Sequence, residues 1–334
     1  MIGGYSSPMI ASLLVLAASS AGGPTIQLSW PVDCAFGRTC FVQNYFDEDP
    51  GPGRRDYACG SMTYDGHDGT DIRLPTLKEM RAGVEVRAAA AGTVRNVRDG
   101  VADVSVAVGG KAAIQGKECG NGVLIEHPGG WQTQYCHMRR GSVAVRPGQA
   151  VKAGERLGLV GLSGDTEFPH LHLSVRLRGQ EVDPFAYGAA PGACRAGISL
   201  WAPGVRSALA YASPAVLSAG FADAPVMGEA IDAGEAGKPI SRNSPAIVAY
   251  VRAIGLEAGD VQELRLTGPG GKTLAERVLP PLDRAKATYF MFIGSKANGG
   301  AWPAGAYTAE YLVRRNGKVA LRRRWTSSLD ALRR

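Results

Sequence analysis

Long apolar runs and clusters of aromatic residues are scarce in this sequence. Aromatic residues make up 7% of its 334 residues. Apart from one run near the amino terminus, no apolar stretch approaches the length that a transmembrane helix needs. Aromatic clusters suited to base stacking and a basic recognition helix are also missing, so we do not expect nucleic acid to be a partner.

Two familiar metal-binding patterns are absent as well. There is no His-Glu-x-x-His segment, which excludes the helix that carries both zinc-binding imidazoles and a glutamate base in many metalloproteases. The 6 cysteines include no Cys-x-x-Cys pair and no cluster with histidines at zinc-finger spacing. An even cysteine count outside such patterns indicates disulfides in an oxidising compartment, and buried free thiols are the alternative.

The spacing of the cysteines suggests how they pair. Two of them close a short loop, and two flank a hairpin that turns at Pro128-Gly129-Gly130, where cross-strand partners face each other. Spacing alone leaves other connectivities open. The expected pairs are Cys34 with Cys40, Cys119 with Cys136 and, by elimination, Cys59 with Cys194.

The one long apolar run, residues 9–22, ends in small residues as a secretory signal peptide does. It is too short to span a bilayer. No Lys or Arg precedes it, so a buried amino-terminal strand is the alternative. We expect a signal peptide over residues 1–22, no transmembrane segment after its cleavage, and a periplasmic or secreted protein.

Three of the histidines lie in two short segments that suggest a metal site. In His67-Asp68-Gly69-Thr70-Asp71, a histidine and an aspartate are four residues apart, and Gly69 lets the backbone between them bend. His170-Leu171-His172 places two imidazoles on one face of a strand, although an isolated pair of this kind is often structural. His67, Asp71 and one histidine of the pair predict a three-ligand zinc site whose fourth position is open, as in catalytic zinc.

With these segments in this order, residues 60–186 resemble the zinc-dependent peptidoglycan endopeptidases of the lysostaphin and LytM type, known as M23 peptidases. The resemblance rests on the His-x-Gly-x-Asp segment, on Tyr135-Cys136-His137-Met138 and on the His-x-His pair. Departures from the family pattern are Cys136, Met138 and a glycine-rich loop over 100–118. The resemblance implies Zn²⁺ bound by His67, Asp71 and His172, with His137 and His170 as catalytic residues.

Short alternating runs separated by turn residues predict an all-β protein. From 83 to 177 they favour an antiparallel β-sandwich or flattened barrel with a groove over one sheet, which is also the fold that the resemblance implies. Five further runs after residue 245 suggest a second, immunoglobulin-like β-sandwich domain. The expected divisions are a signal peptide over 1–22, a cysteine-containing extension over 23–60, a LytM-like peptidase domain over 61–190, a linker over 191–245 and a basic β-sandwich domain over 246–334.

The positive charge belongs to the last of these divisions. Residues 246–334 contain 15 Lys and Arg against 7 Asp and Glu, a balance of +8, whereas the whole chain carries +7. A solvated strand face explains such a balance by default. Electrostatic attraction to an anionic polymer of the cell envelope is the functional alternative.

These observations predict a zinc metalloendopeptidase that hydrolyses peptide bonds in the stems or cross-links of peptidoglycan. A catalytically inactive LytM-like activator of a cell-wall amidase is the first alternative, disfavoured because every ligand position is filled. A biotinyl or lipoyl binding module is the second. Residues 145–158 have its strand and turn pattern, but Lys152 lacks the hairpin-tip setting of a modified lysine.

Overall fold

The computed structural model describes residues 25–330, so the predicted signal peptide lies outside the described residues. Strands predominate and pair antiparallel in every sheet, which confirms the predicted all-β class. The first ten strands are β1 (Phe41–Asn44), β2 (Thr70–Arg73), β3 (Glu85–Arg87), β4 (Gly92–Arg98), β5 (Asn121–His127), β6 (Trp131–Met138), β7 (Ala150–Val151), β8 (Arg156–Leu159), β9 (His170–Leu177) and β10 (Gln180–Glu181). Two short helices lie among them, α1 (Leu77–Ala82) and α2 (Val106–Gly109).

One eight-stranded sheet carries the predicted site. Its strand order is β1-β2-β9-β6-β5-β4-β7, with β10 beside β9, while β3 and β8 form a separate pair. Along β9 the side chains alternate: Leu171, Leu173 and Val175 are buried in the core, and the histidines lie on the opposite face. This period of two brings both histidines of the pair to one face of the sheet.

Three disulfides join the cysteines, and they are the three pairs expected from the spacing: Cys34 with Cys40, Cys59 with Cys194, and Cys119 with Cys136. The Cys59–Cys194 bond spans 135 positions and joins the segment before β2 to the segment after β10. Closing so long a loop removes conformational freedom from the unfolded chain, which stabilises the folded sheet.

The second half of the chain forms two further antiparallel sheets around a shared hydrophobic core. One has the order β11-β12-β15 and the other β14-β13-β16-β17. Their elements are α3 (Pro203–Arg206), β11 (Ala215–Ala222), α4 (Gly228–Ala233), β12 (Ala246–Leu256), β13 (Val261–Thr267), β14 (Thr273–Val278), β15 (Lys286–Lys296), β16 (Gly305–Arg315) and β17 (Lys318–Leu329).

Within the segment expected to be a linker, residues Ala215–Ala222 form a strand that pairs along β12. The small residues of this strand, Ala-Val-Leu-Ser-Ala-Gly-Phe-Ala, hide the alternation that marks a half-buried strand, so composition alone suggested a linker. The domain boundaries and the immunoglobulin-like assignment stay predictions.

A small apolar cluster joins the two halves of the chain. Phe41, Val42, Tyr45 and Met62 from the first half are buried in one cluster with Ala215, Leu217 and Ile254 from the second. Beside it, the Ser61 hydroxyl donates to the Glu257 carboxylate over 2.9 Å. Strand β1, which packs against this cluster, is also the neighbour of the strand that carries Asp71. None of the helices within residues 25–330 has the length and apolarity needed to cross a membrane.

Candidate active site

The structure brings the three predicted metal ligands together on the open face of the large sheet. Asp71 on β2 lies directly opposite His172 on β9 in the antiparallel register. His67 precedes β2, in a turn that its own N–H closes by donating to the Tyr64 carbonyl over 3.0 Å. Two of the ligands are thus placed by strand pairing and the third by a local turn.

Gly69 has a different role from the one expected. Its backbone is not in the left-handed region, so the turn does not require glycine there. Instead, a Cβ at this position would lie 2.6 Å from His172 Nε2 and 2.6 Å from the Leu173 carbonyl oxygen. The glycine is needed because the His172 ring and β9 approach the backbone so closely.

The donor atoms of the three residues fit a tetrahedral metal ion. Asp71 Oδ1 lies 3.2 Å from His67 Nε2 and 2.9 Å from His172 Nδ1, and the two nitrogens are 3.3 Å apart. A tetrahedral zinc ion with bonds of about 2.0–2.1 Å separates its ligand atoms by about 3.3 Å. Two imidazole nitrogens and one carboxylate oxygen are a donor set that catalytic zinc sites use.

Each imidazole of the predicted ligand set is oriented by a hydrogen bond at its other nitrogen. His67 Nδ1 donates to the Tyr45 carbonyl over 2.6 Å, which leaves Nε2 for a metal. His172 is turned the other way: its Nε2 lies 3.0 Å from Ser174 Oγ and 3.1 Å from Asp68 Oδ1, so Nδ1 faces the cluster. Such partners set the tautomer and basicity of a liganding imidazole.

Asn44 is a site residue that sequence reasoning missed. Its side-chain amide donates to Asp71 Oδ2 over 2.7 Å, so Oδ1 is the oxygen that faces the two imidazoles. Asn44 ends β1, where it pairs with Asp71, 27 positions away. Nothing in its residue type or spacing marks it, whereas Ser174 could have been found from its position two residues after His172 on the same strand face.

The electrostatics of the cluster favour an ionised Asp71 carboxylate beside a protonated or metal-bound His172. Burial alone would raise the pKa of Asp71, but His67, His170 and His172 hold that pKa well below its usual range. Burial alone would lower the pKa of His172, but hydrogen bonds to Asp68 and Asp71 raise it to about 9. A metal ion binds the neutral ring and takes the place of the proton on His172.

The two histidines expected to be catalytic lie beside this cluster. The ring centroids of His137 and His170 are 4.6 Å apart, and His170 Nε2 is 3.3 Å from Asp71 Oδ1. His137 Nδ1 donates to the Ser163 carbonyl over 2.8 Å, and His170 Nδ1 donates to the Phe168 carbonyl over 2.9 Å. Each ring therefore directs its Nε2 away from its carbonyl partner, and in His170 that nitrogen faces Asp71.

His137 is held in an unusual state by its surroundings. Burial, together with the nearby rings of His170 and His172, lowers the pKa of His137 well below the ordinary value. The ring is therefore neutral at neutral pH and can accept a proton. Its backbone has φ of 60°, a conformation that costs free energy for a residue with a Cβ, and the Cys119 carbonyl accepts its N–H over 2.8 Å.

An open groove of about 250 Å³ runs over this face of the sheet. Its lining includes three acidic side chains and Arg176 of β9. The residues that line the groove are Tyr64, Asp68, Glu118, Cys119, Gln134, Cys136, His137, Asp165, His172, Ser174 and Arg176. A groove of this shape leaves His137 and His172 accessible to an extended chain.

Comparison with known proteins places this site in a family. Residues 65–184 match the profile described as Peptidase family M23. They form an M23 peptidase domain. The M23 domain is 34% identical over 105 residues to the DD-carboxypeptidase/endopeptidase Mpg of Neisseria meningitidis, covering 31% of this chain and 22% of that protein. It is 39% identical over 64 residues to the peptidoglycan DD-endopeptidase ShyB of Vibrio cholerae, covering 19% of this chain and 15% of that protein.

Solved structures that resemble the M23 domain include a zinc-containing peptidase from Vibrio cholerae, with a TM-score of 0.28 and 26% identity over 44% of this chain and 39% of that one. Another is the catalytic domain of lysostaphin from Staphylococcus simulans, with a TM-score of 0.27 and 20% identity over 42% of this chain and 85% of that one. The curated relatives named above are much longer than the matched stretch, which spans 15–22% of their length.

Proposed function

We propose that this protein is a zinc endopeptidase that hydrolyses peptide bonds in the stems or cross-links of peptidoglycan. One observation carries the proposal: Asp71 Oδ1, His67 Nε2 and His172 Nδ1 lie within 3.3 Å of one another on the open face of the sheet. The rings of His137 and His170 lie beside them. A closed structural zinc site would have four protein ligands, whereas this cluster offers three.

Each residue of the cluster has a role in such a reaction. His67, Asp71 and His172 would hold the ion, which when bound supplies a Lewis acid for the scissile carbonyl and lowers the pKa of its water. Neutral His137 accepts a proton at Nε2, because its Nδ1 is committed to the Ser163 carbonyl. His170 in its imidazolium form, protonated at both nitrogens, would donate a hydrogen bond from Nε2 to the oxygen on which negative charge develops, while its Nδ1 donates to the Phe168 carbonyl.

The relatives support peptidoglycan as the substrate and the cell envelope as the location. Mpg is named a DD-carboxypeptidase/endopeptidase and ShyB a peptidoglycan DD-endopeptidase. The three disulfides point the same way, because such bonds persist in oxidising compartments such as the periplasm or the extracellular space.

The proposal is tested by incubating the zinc-loaded protein with purified sacculi of defined chemistry. We expect peptide fragments to be released. Mass spectrometry of these fragments identifies the bond that was cut. A chelator should stop the release and added zinc should restore it, since the ion supplies the Lewis acid. Fully loaded protein that releases nothing from sacculi of either direct or glycine-bridged cross-links would contradict the proposal. A protein that binds no zinc at neutral pH would favour the amidase-activator alternative.

We further propose that the basic stretch over residues 246–334 binds an anionic polymer of the envelope. Arg322, Arg323 and Arg324 are exposed on β17, an edge strand, and of these Arg322 faces Glu310 at 3.9 Å. The binding test uses the His137→Ala variant, because its expected loss of hydrolysis keeps the sacculi intact. Its binding to sacculi should weaken as salt rises from about 0.05 to about 0.5 M, because ions screen exposed charges. Replacing Arg323 and Arg324 by Gln should weaken it at low salt, and unchanged binding would count against this partner.

The Cys119–Cys136 disulfide gives a further prediction about the site. Cys136 precedes His137, and the Cys119 carbonyl accepts the N–H of His137. Replacing both cysteines by Ser should lower kcat about tenfold through a displaced imidazole, with zinc content unchanged. Replacing Cys34 and Cys40 by Ser is the matched control and should leave kcat within about twofold. Equal kcat in both double variants would show that the disulfide does not position His137.

A further inference from the structure

A buried arginine lies next to the candidate active site without being part of it. Arg73 is on β2, two residues after Asp71, and pairs with His170 in the register of β2 and β9. It is only 3% exposed. Burying a guanidinium is costly unless charged and polar partners surround it, so its contacts show what it does in the fold.

The guanidinium of Arg73 contacts three separate elements. Its Nη1 donates to Gln43 Oε1 over 3.0 Å, and its Cζ lies 4.3 Å from the centroid of the Phe168 ring. Its Nη2 lies 3.7 Å from Asp232 Oδ1, a residue of helix α4 in the second half of the chain. Arg73 therefore connects the second half of the chain to the loop before β9.

Phe168 in turn contacts the His170 ring in two ways. The two rings are 4.6 Å apart, and the Phe168 carbonyl accepts the Nδ1 proton of His170 over 2.9 Å. Thr166 Oγ1 donates to the same carbonyl over 2.9 Å. A shift of Phe168 would therefore move His170 through both its ring contact and its backbone hydrogen bond.

The second half of the chain supplies the counter-ion of the Arg73 guanidinium. Among residues 25–330, Asp232 is the one carboxylate within 4.0 Å of the Arg73 guanidinium. Asp232 is itself anchored by Arg252 of β12. Gln43 also connects Arg73 to the second half of the chain, because the Gln43 side-chain amide donates to the Ala287 carbonyl of β15 over 2.9 Å.

We propose that Asp232 and Arg73 are positioning residues for His170, through Phe168, so that the second half of the chain maintains the catalytic geometry of the M23 domain. The inference rests on the proposed function for its kinetic effect only. The second half then acts as an intramolecular support of the active site, whatever else it binds.

The test is Asp232→Asn in the full chain. Without its counter-ion, Arg73 no longer holds Phe168 in place, so kcat on a cross-linked peptide should fall about tenfold while KM changes less than about twofold. Zinc content should stay unchanged, because no ligand has moved. Asp232→Glu, which keeps the carboxylate, should recover part of the lost kcat.

Glu235→Gln is the matched control. Glu235 joins the same two halves through Arg81 at 3.0 Å, but both side chains are largely exposed and neither contacts Phe168. Its kcat should stay within about twofold of the native value. A native kcat in Asp232→Asn, or an equal fall in both variants, would overturn the inference, because the effect would then not pass through Arg73.

Two further measurements keep the test decisive. If Asp232→Asn does not fold by circular dichroism, Phe168→Leu takes its place, since it removes the ring between Arg73 and His170 and should lower kcat similarly. The imidazole NMR signals of His170 should shift in either variant while those of His127 do not. Unchanged His170 signals would overturn the inference whether or not the protein is active on sacculi. A failure to release fragments from sacculi would contradict only the proposed function.

Discussion

His172→Ala is expected to lose both bound zinc and hydrolysis. The variant removes the nitrogen that lies 2.9 Å from Asp71 Oδ1 and 3.3 Å from His67 Nε2, and so leaves two protein ligands in place of three. Two ligands hold zinc weakly, so the ion should be lost during purification at neutral pH. Zinc content by elemental analysis and fragment release from sacculi measure the two losses, and activity should fall to that of the metal-free protein.

His127→Gln is the control for His172→Ala. His127 lies in the same sheet, but its ring nitrogens are engaged by the Ala91 carbonyl and Thr133 Oγ1, both at 2.8 Å, and it contacts none of the predicted ligands. This variant should keep its zinc. If His170→Ala were found empty of zinc and His172→Ala full, the roles assigned to the pair would be reversed.

His137→Ala is expected to keep its zinc while hydrolysis falls by about 10²–10⁴-fold, the usual worth of a positioned acid–base or oxyanion-stabilising group. The ligand atoms do not depend on His137, since its Nδ1 is bound to the Ser163 carbonyl and not to a ligand. What is lost is a neutral imidazole beside the groove. Single-turnover rates on a defined peptide, measured with zinc content and circular dichroism, separate this loss from unfolding.

His170→Ala should behave like His137→Ala and unlike His172→Ala. Its ring lies 3.3 Å from Asp71 Oδ1, close enough to affect that carboxylate, but three other donor atoms already form the ligand set. Retained zinc with a large fall in rate would support a catalytic role. Native rates in either His137→Ala or His170→Ala would exclude that residue from the chemistry.

The M23 resemblance, the all-β class, the expected disulfide pairs and the five histidine and aspartate residues that the structure brings together could all be predicted from the sequence. Each of these has a local signature. The alternation of β9 places His170 and His172 on one face whichever strands lie beside it, and His67 lies in a local turn only four residues before Asp71. The cysteine pairs could be inferred because two of them bracket short segments and only one pair remained.

The residues that support the site from a distance became visible only in the folded structure. Asn44 orients Asp71 from a neighbouring strand, Gly69 makes room for the His172 ring, and Asp232 neutralises Arg73 from 159 positions further along the chain. These contacts depend on which strands are neighbours and on how the two halves of the chain pack. Residue type and spacing do not carry that information, because a buried charge or amide finds its partner only when the whole fold closes around it.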